Sequence, residues 1–283
     1  MSSVDRQREH FESIAKTYFD ARQHPNHLLY KKLMWGFFFR KNSHLLEGGE
    51  MVIEAMCGYS EGRAILEEHC LKDFEYTGFD YSEALVEQAK SIFPNANIYV
   101  QDVTRFEGNE QYDLMILIGG LHHVYAHAFT TMKRLSSALK PGGYMINLEP
   151  TQNNPLYRFA RKKIYQNNPL FDYKTEQAFD LPELNRIYSL AGFEIEDQLY
   201  PGLLAYVMYY NPDAFPALNI GRLGTVKMLF NLEKNFYRSR LAMRFSFATL
   251  SLLKKISVEG CRTGTVTRHS VSASGSCNVT GAG

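Results

Sequence analysis

Two adjacent histidines, His122 and His123, follow an apolar run (Tyr112 to Ile118) and a Gly119-Gly120 pair. Imidazole titrates near neutrality, so either ring could take a proton from a hydroxyl or an amine. Glu54 stands within one apolar run, Asp80 at the end of a second and Asp102 just past a third. A carboxylate in such a place can accept both hydroxyls of a ribose. Between the first two acids lies a glycine-bearing turn, Cys57-Gly58-Tyr59-Ser60-Glu61-Gly62. Glycine lets a backbone pass close to a ligand, and the N-terminus of a following helix offers unpaired N–H groups to an anion. The chemistry these residues suit is the holding of a nucleoside-containing cofactor beside a base.

The elements that must position them are legible in the same stretch. An apolar run from Met51 to Met56, the turn, a helix-like segment and a second run ending in Asp80 form a β-turn-α-β unit. That is the mononucleotide-binding half of a doubly wound sheet, whose strand C-termini face a ligand crevice. Ser82 is an N-cap for a helix over Glu83 to Ile92. Asn97 to Val100, Tyr112 to Ile118 and Met145 to Leu148 read as the third, fourth and fifth strands, with helices from Leu156 to Tyr165 and Pro182 to Leu190. Glu194 to Leu199 and Leu203 to Tyr210 read as the last two strands. A dinucleotide fingerprint G-x-G-x-x-G aligned on Gly58 fails, because its first and third glycines fall on Met56 and Glu61.

Glu54 followed by the glycine turn resembles motif I of class I S-adenosylmethionine-dependent methyltransferases; Gly58 keeps the middle glycine, and Met56 and Ser60 replace two others. Gly78-Phe79-Asp80-Tyr81-Ser82 is similar to the family's ribose-binding strand end, and Gln101-Asp102-Val103 to its adenine-binding turn. Leu139-Lys140-Pro141-Gly142-Gly143-Tyr144 is similar to the turn before its fifth strand. This resemblance implies an α/β fold: a Rossmann-like doubly wound seven-stranded sheet, its last strand antiparallel between the fifth and sixth. It implies S-adenosyl-L-methionine as cofactor, held by Tyr18, Glu54, Gly58, Ser60, Asp80, Tyr81, Asp102, Val103, Ile118 and Gly119. His122 or His123 would serve catalysis, and Tyr18 would close over the methionine end. The Asn/Asp-Pro-Pro-Tyr/Phe of family branches that methylate adenine or a glutamine amide is replaced by Ile118-Gly119-Gly120-Leu121.

Plainer readings stand beside these. Asp80 and Asp102 could cap helices or close turns. Tyr18 could be ordinary helix packing, Cys57 a small buried filler, and Glu149 a partner for a cation or a substrate contact. His123 and His127 are spaced i, i+4, but no third ligand is evident and no metal is expected.

Formal net charge is +1, so no bulk field recruits nucleic acid, and the expected partner is a small-molecule acceptor. The four cysteines form neither a metal spacing nor a disulfide framework, and the polar N-terminus lacks a signal-peptide pattern, which together suggest a cytoplasmic protein. The expected organisation is a helical N-terminal cap (1–45), a cofactor-binding domain (46–210), a C-terminal helical extension (211–258) and a disordered tail (259–283). Aromatics of the cap (Tyr18, Tyr30, Trp35, Phe37, Phe38, Tyr157, Tyr165) suggest an apolar or ring-bearing acceptor. Between Arg222 and Lys255 there are eight basic residues and one acid, Glu233, interleaved with apolar positions. Such a segment can contact an anionic membrane or a lipid. The plainer reading, a cap or homodimer helix whose basic face is solvated, is preferred, because ordinary helices show the same pattern. A catalytically silent, cofactor-binding partner subunit and a nicotinamide-dependent oxidoreductase are the competing classes.

Overall fold

The computed structural model describes residues 3–69, 73–154, 177–212 and 215–257. Seven strands form one sheet in the order β3-β2-β1-β4-β5-β7-β6. These are β1 (Met51–Ala55), β2 (Glu75–Asp80), β3 (Asn97–Val100), β4 (Tyr112–Ile118), β5 (Leu139–Pro150), β6 (Phe193–Leu199) and β7 (Ala248–Lys255). The first five pair in parallel, and β7 runs antiparallel to both β5 and β6. The order reverses between β1 and β4, which opens the crevice of a doubly wound sheet at the strand C-termini.

Each face of the sheet is buried. On one face α2 (Pro25–Lys41) and α3 (Glu61–His69) pack with Tyr30, Trp35, Phe38, Val52, Leu66 and Ile116 in a common core. On the other, α5 (Ala128–Ala138) and α6 (Leu181–Leu190) cover Ile53, Phe79, Met115 and Met145. Helix α4 (Glu83–Ile92) begins at Ser82, whose hydroxyl accepts the Leu85 N–H at 3.2 Å. Helix α1 (Ser3–Ala21) lies against α4 and against the 3-10 turn Leu121–His127 that follows β4. It therefore crosses the strand C-terminal edge, and Glu12 Oε2 there accepts the Ala84 N–H at 3.2 Å.

The end of the chain departs from the sequence expectation. The expected topology stands, with an antiparallel strand between the fifth and sixth, but Leu203 to Tyr210 is not that strand. Leu204–Tyr209 is a helix, α7, which buries Ala205, Tyr206 and Tyr209 against Tyr30 and is anchored by Glu233 Oε1, which accepts the Ala205 N–H at 2.7 Å. The strand is instead 248–255, which falls inside the expected helical extension. Residues 200–247, with α7, α8 (Leu223–Glu233) and α9 (Arg240–Phe245), are thus an insertion between β6 and β7 rather than an extension beyond the sheet. The residues themselves favour this: Ala248 to Leu252 alternate apolar and polar side chains, the period of a strand, and residues 248 to 253 are all buried between two neighbouring strands. The expected helix over Leu156 to Tyr165 and the tail at 259–283 lie outside the described residues.

Candidate active site

The turn after β1 is built from three left-handed residues in alternation: Met56 (φ 53°), Gly58 (φ 53°) and Ser60 (φ 66°). Left-handed backbone favours glycine, and each non-glycine residue there costs about 1 kcal/mol or more. Met56 and Ser60 therefore keep a glycine-type backbone path although the glycines are gone. Three hydrogen bonds fix that path. The Cys57 N–H donates to the Phe79 carbonyl at 2.9 Å, the Ser60 N–H to the Cys57 carbonyl at 2.7 Å, and the Gly58 N–H to Asp80 Oδ2 at 3.0 Å. A Cβ built on Gly58 would meet no atom within 4 Å, so the turn borders open space on that side.

The acids divide into different tasks. Glu54 is buried behind the turn: Oε1 accepts the Gly62 N–H at 2.7 Å, and Oε2 accepts the Arg63 N–H and the Tyr76 hydroxyl at 3.1 and 2.5 Å. It ties the first turn of α3 to β1, a supporting position rather than a ligand-facing one, and burial lifts its pKa to about 7. Asp80 is buried at the tip of β2; besides Gly58 it accepts the Ser82 N–H at 3.0 Å, and burial raises it to about 6. Asp102, at the end of β3, is partly exposed and accepts from the Thr104 N–H and hydroxyl at 2.8 and 2.7 Å. Both acids thus also close turns, as the plainer readings anticipated. Tyr81 is half-buried beside Asp80, Val103 packs its side chain into the core with Phe106, and Ile118 lies half-buried at the end of β4.

Past β4, Gly119 takes φ 60°, and a Cβ there would meet only the Cε1 of His122, at 4.0 Å. The His122 ring thus borders the same side of the sheet edge. Its Nδ1 lies 3.0 Å from Glu149 Oε2, at the end of β5. Glu149 is wholly buried; it also accepts the Leu121 N–H at 2.8 Å and the His122 N–H at 3.3 Å, and burial pushes it up to about 8. His123 stacks on His122 with centroids 3.9 Å apart, and its backbone N–H bonds Gly120. The two histidines differ in place: the His122 ring has Glu149 Oε2 at Nδ1, while His123 lies against the His122 ring. No His/Cys/Asp/Glu cluster suited to a metal occurs among the described residues.

Tyr18 on α1 lies 6.1 Å, ring to ring, from Tyr59 in the turn, with the Arg22 guanidinium 4.3 Å over its face. Beneath them is a buried charged group that the sequence reading missed. Glu61 receives Lys31 Nζ at 3.1 Å, the Tyr59 hydroxyl at 3.1 Å and Arg22 Nη1 at 3.8 Å. Burial opposes ionisation of Glu61, but the cations prevail and hold it down to about 2. The only sequence signal was an acid in a glycine's place. Four of the cap aromatics serve packing: Tyr30, Trp35 and Phe38 are fully buried core residues, and Phe37 packs on Tyr237 and Phe230. Tyr157 and Tyr165 lie outside the described residues.

Comparison with known proteins follows the same lines. Residues 52–143 match the family model of a methyltransferase domain. Demethylmenaquinone methyltransferase of Staphylococcus saprophyticus is 25% identical over 169 residues, 52% of this chain and 72% of the relative. In fold the chain is similar to magnesium protoporphyrin IX methyltransferase of Synechocystis PCC 6803 with bound SAH (TM-score 0.56, 15% identity, 89% of this chain and 99% of the other). It is similar also to an S-adenosylmethionine-dependent methyltransferase of Mesorhizobium loti (TM-score 0.51, 15% identity, 74% and 93%).

Proposed function

We propose that this chain, a class I S-adenosylmethionine-dependent methyltransferase, methylates an oxygen or nitrogen of a small molecule and uses His122 to take the acceptor's proton. The observation that carries the reading is the His122–Glu149 pair beside Gly119, just past β4, the strand next to β1 whose following turn Asp80 fastens. The residues present suit the cofactor: a left-handed turn with open space at Gly58, and carboxylates at the ends of β2 and β3. Asp80 and Tyr81 would hold the ribose, Asp102 and the Val103 N–H the adenine, and Gly58, Ser60, Ile118 and Gly119 the adjoining backbone path. Glu54 acts through the turn. The cofactor supplies an already activated methyl group, so the protein's share is to align the acceptor, exclude water and receive a proton. Tyr18, on the helix that crosses the edge, would cover the methionine end.

With Nδ1 held by Glu149, His122 presents Nε2 to a hydroxyl or amine. The names of the two relatives, for demethylmenaquinone and magnesium protoporphyrin IX, support a ring-bearing small acceptor. The four packed cap aromatics no longer do. The silent-partner reading rested on the lost glycines, and the retained left-handed φ at Met56 and Ser60 removes that ground.

The test is ligand-dependent melting followed by calorimetry. S-adenosylmethionine should raise the melting temperature and NAD should not. Asp80→Ala should weaken S-adenosylmethionine binding by about tenfold or more, the loss of one or more charge-assisted hydrogen bonds. Unchanged affinity in that variant, still folded by circular dichroism, would overturn the cofactor site.

A further inference from the structure

We infer that the insertion between β6 and β7 is a docking face for an anionic lipid surface. Sixteen large apolar side chains are exposed among the described residues, and nine of them fall between Leu204 and Met243. The other seven are scattered over the rest of the molecule, as is normal for a soluble domain. The concentration is not a shortage of core. The insertion's inner side is complete: Tyr206, Tyr209, Phe230 and Tyr237 are buried against Tyr30, and the Tyr30 and Tyr237 hydroxyls meet at 2.9 Å.

The outer side of α8 shows how the apolar groups are presented. Val226, Phe230 and Glu233 form its buried stripe, while Met228 and Leu232, four residues apart, are 54% and 63% exposed. Helical geometry puts that pair on the side away from the core. Ile220 before α8, Leu223 at its start, Phe236 after it and Leu241 in α9 are exposed as well.

Charge then selects the occupant. Arg222, Lys227, Arg240 and Arg244 are exposed on the same unit. Its one acid among the described residues, Glu233, is buried and turned inward to Ala205. The whole chain is close to neutral at a formal net +1, but the described residues of this unit show cations and apolar groups with no exposed carboxylate. A solvated helix face would intersperse acids, and a self-associating face would set these cations against one another. A negatively charged bilayer interface accepts both features: apolar side chains enter the headgroup boundary and Arg or Lys stay at its rim. No described helix is long and apolar enough to cross a membrane, so the contact is peripheral. It does not depend on the methyl acceptor and stands whether or not the acceptor is itself a lipid.

The test is flotation of the full chain with vesicles of phosphatidylcholine alone or mixed with phosphatidylglycerol, at low and high salt. Binding should require the anionic lipid and fall with salt. The charge variant Lys227→Glu/Arg240→Glu/Arg244→Glu should lose affinity by about fivefold or more per residue changed. Met228→Ser/Leu232→Ser should lose it too, while melting temperature and S-adenosylmethionine affinity stay at wild-type values. Absence of flotation with either vesicle overturns the inference. So does binding that charge reversal leaves unchanged, or a concentration-dependent dimer in sedimentation velocity that the same substitutions abolish, since the face would then belong to a second copy.

Discussion

A base is defined as much by what holds it as by its own ring. Glu149 is wholly buried and its Oε2 lies 3.0 Å from His122 Nδ1, so its protonation decides which ring nitrogen carries the hydrogen. Burial raises Glu149 to about 8. While Glu149 keeps a proton it donates to Nδ1, the imidazole then carries its hydrogen on Nε2, and the base is blocked. Once Glu149 ionises it accepts from Nδ1–H, and the ring's lone pair then sits on Nε2, where a base would use it. Methyl transfer to a protonated acceptor should therefore rise with pH through about 8 and level above it, as a pH profile of kcat would record. His122→Gln should lower kcat by about 10² to 10⁴ with cofactor affinity little changed. Glu149→Gln should lower kcat as well and erase the rise. A flat profile in the wild type would remove the pair from the reaction. At this scale the sequence was a partial guide. Asp80 and Ser82 could be placed because each stands at a strand or helix end that local patterning marks. Glu149 could not, since its partner lies 27 residues away and only β4–β5 pairing joins them.

Elements meet at distances that single side chains decide. Helix α3 sits so close to β1 and β4 that a Cβ on Gly62 would lie 2.8 Å from Glu54 Cδ and 2.9 Å from Ile116 Cγ2. Gly62→Ala should push the helix off its seat, loosen the Glu54 carboxylate from the Gly62 and Arg63 N–H groups, and cost about 2 kcal/mol or more. Denaturant unfolding should report that loss together with weaker cofactor binding. A neutral effect would mean that the helix is free to shift. The first half of the sheet was legible because its turns and caps carry local chemistry: the glycine turn and the Ser82 cap. The second half was not. Leu-Ala-Tyr-Val-Met-Tyr has strand-favouring residues yet folds as a helix, because Tyr206 and Tyr209 find Tyr30 across the interface. Ala-Thr-Leu-Ser-Leu carries the alternation of a strand, but it is short and follows directly on a basic, apolar helical stretch that masks it.

Over the whole molecule, buried carboxyl groups set the response to acid and alkali. Glu54, Asp80, Glu149 and Glu233 are raised, chiefly by burial, to about 7, 6, 8 and 7. Unfolded, the same groups ionise at their ordinary values, so between about pH 4.5 and 8 the folded chain holds more protons than the unfolded one. Stability then falls as pH rises across that window. In the opposite sense Glu61 and Asp197, held down to about 2 by their cations, stabilise above their ordinary pKa and lose that contribution as acid approaches 2. The unliganded protein should melt highest near pH 4.5 to 5.5 and roughly 5 °C or more lower at about pH 8, by scanning calorimetry. Stability that climbs steadily towards pH 8 would contradict the buried acids.

Strand β7 joins β5 to β6 in the interior of the sheet, yet it is the last described strand along the chain. During synthesis, β5 and β6 must wait with bare hydrogen-bonding edges while the intervening helical segment emerges, and such edges invite wrong partners. Completion of the sheet therefore waits until residues 248–255 have left the ribosome. A nascent chain stalled before Ala248 should accordingly stay sensitive to protease, and one arrested well beyond Lys255 should be resistant.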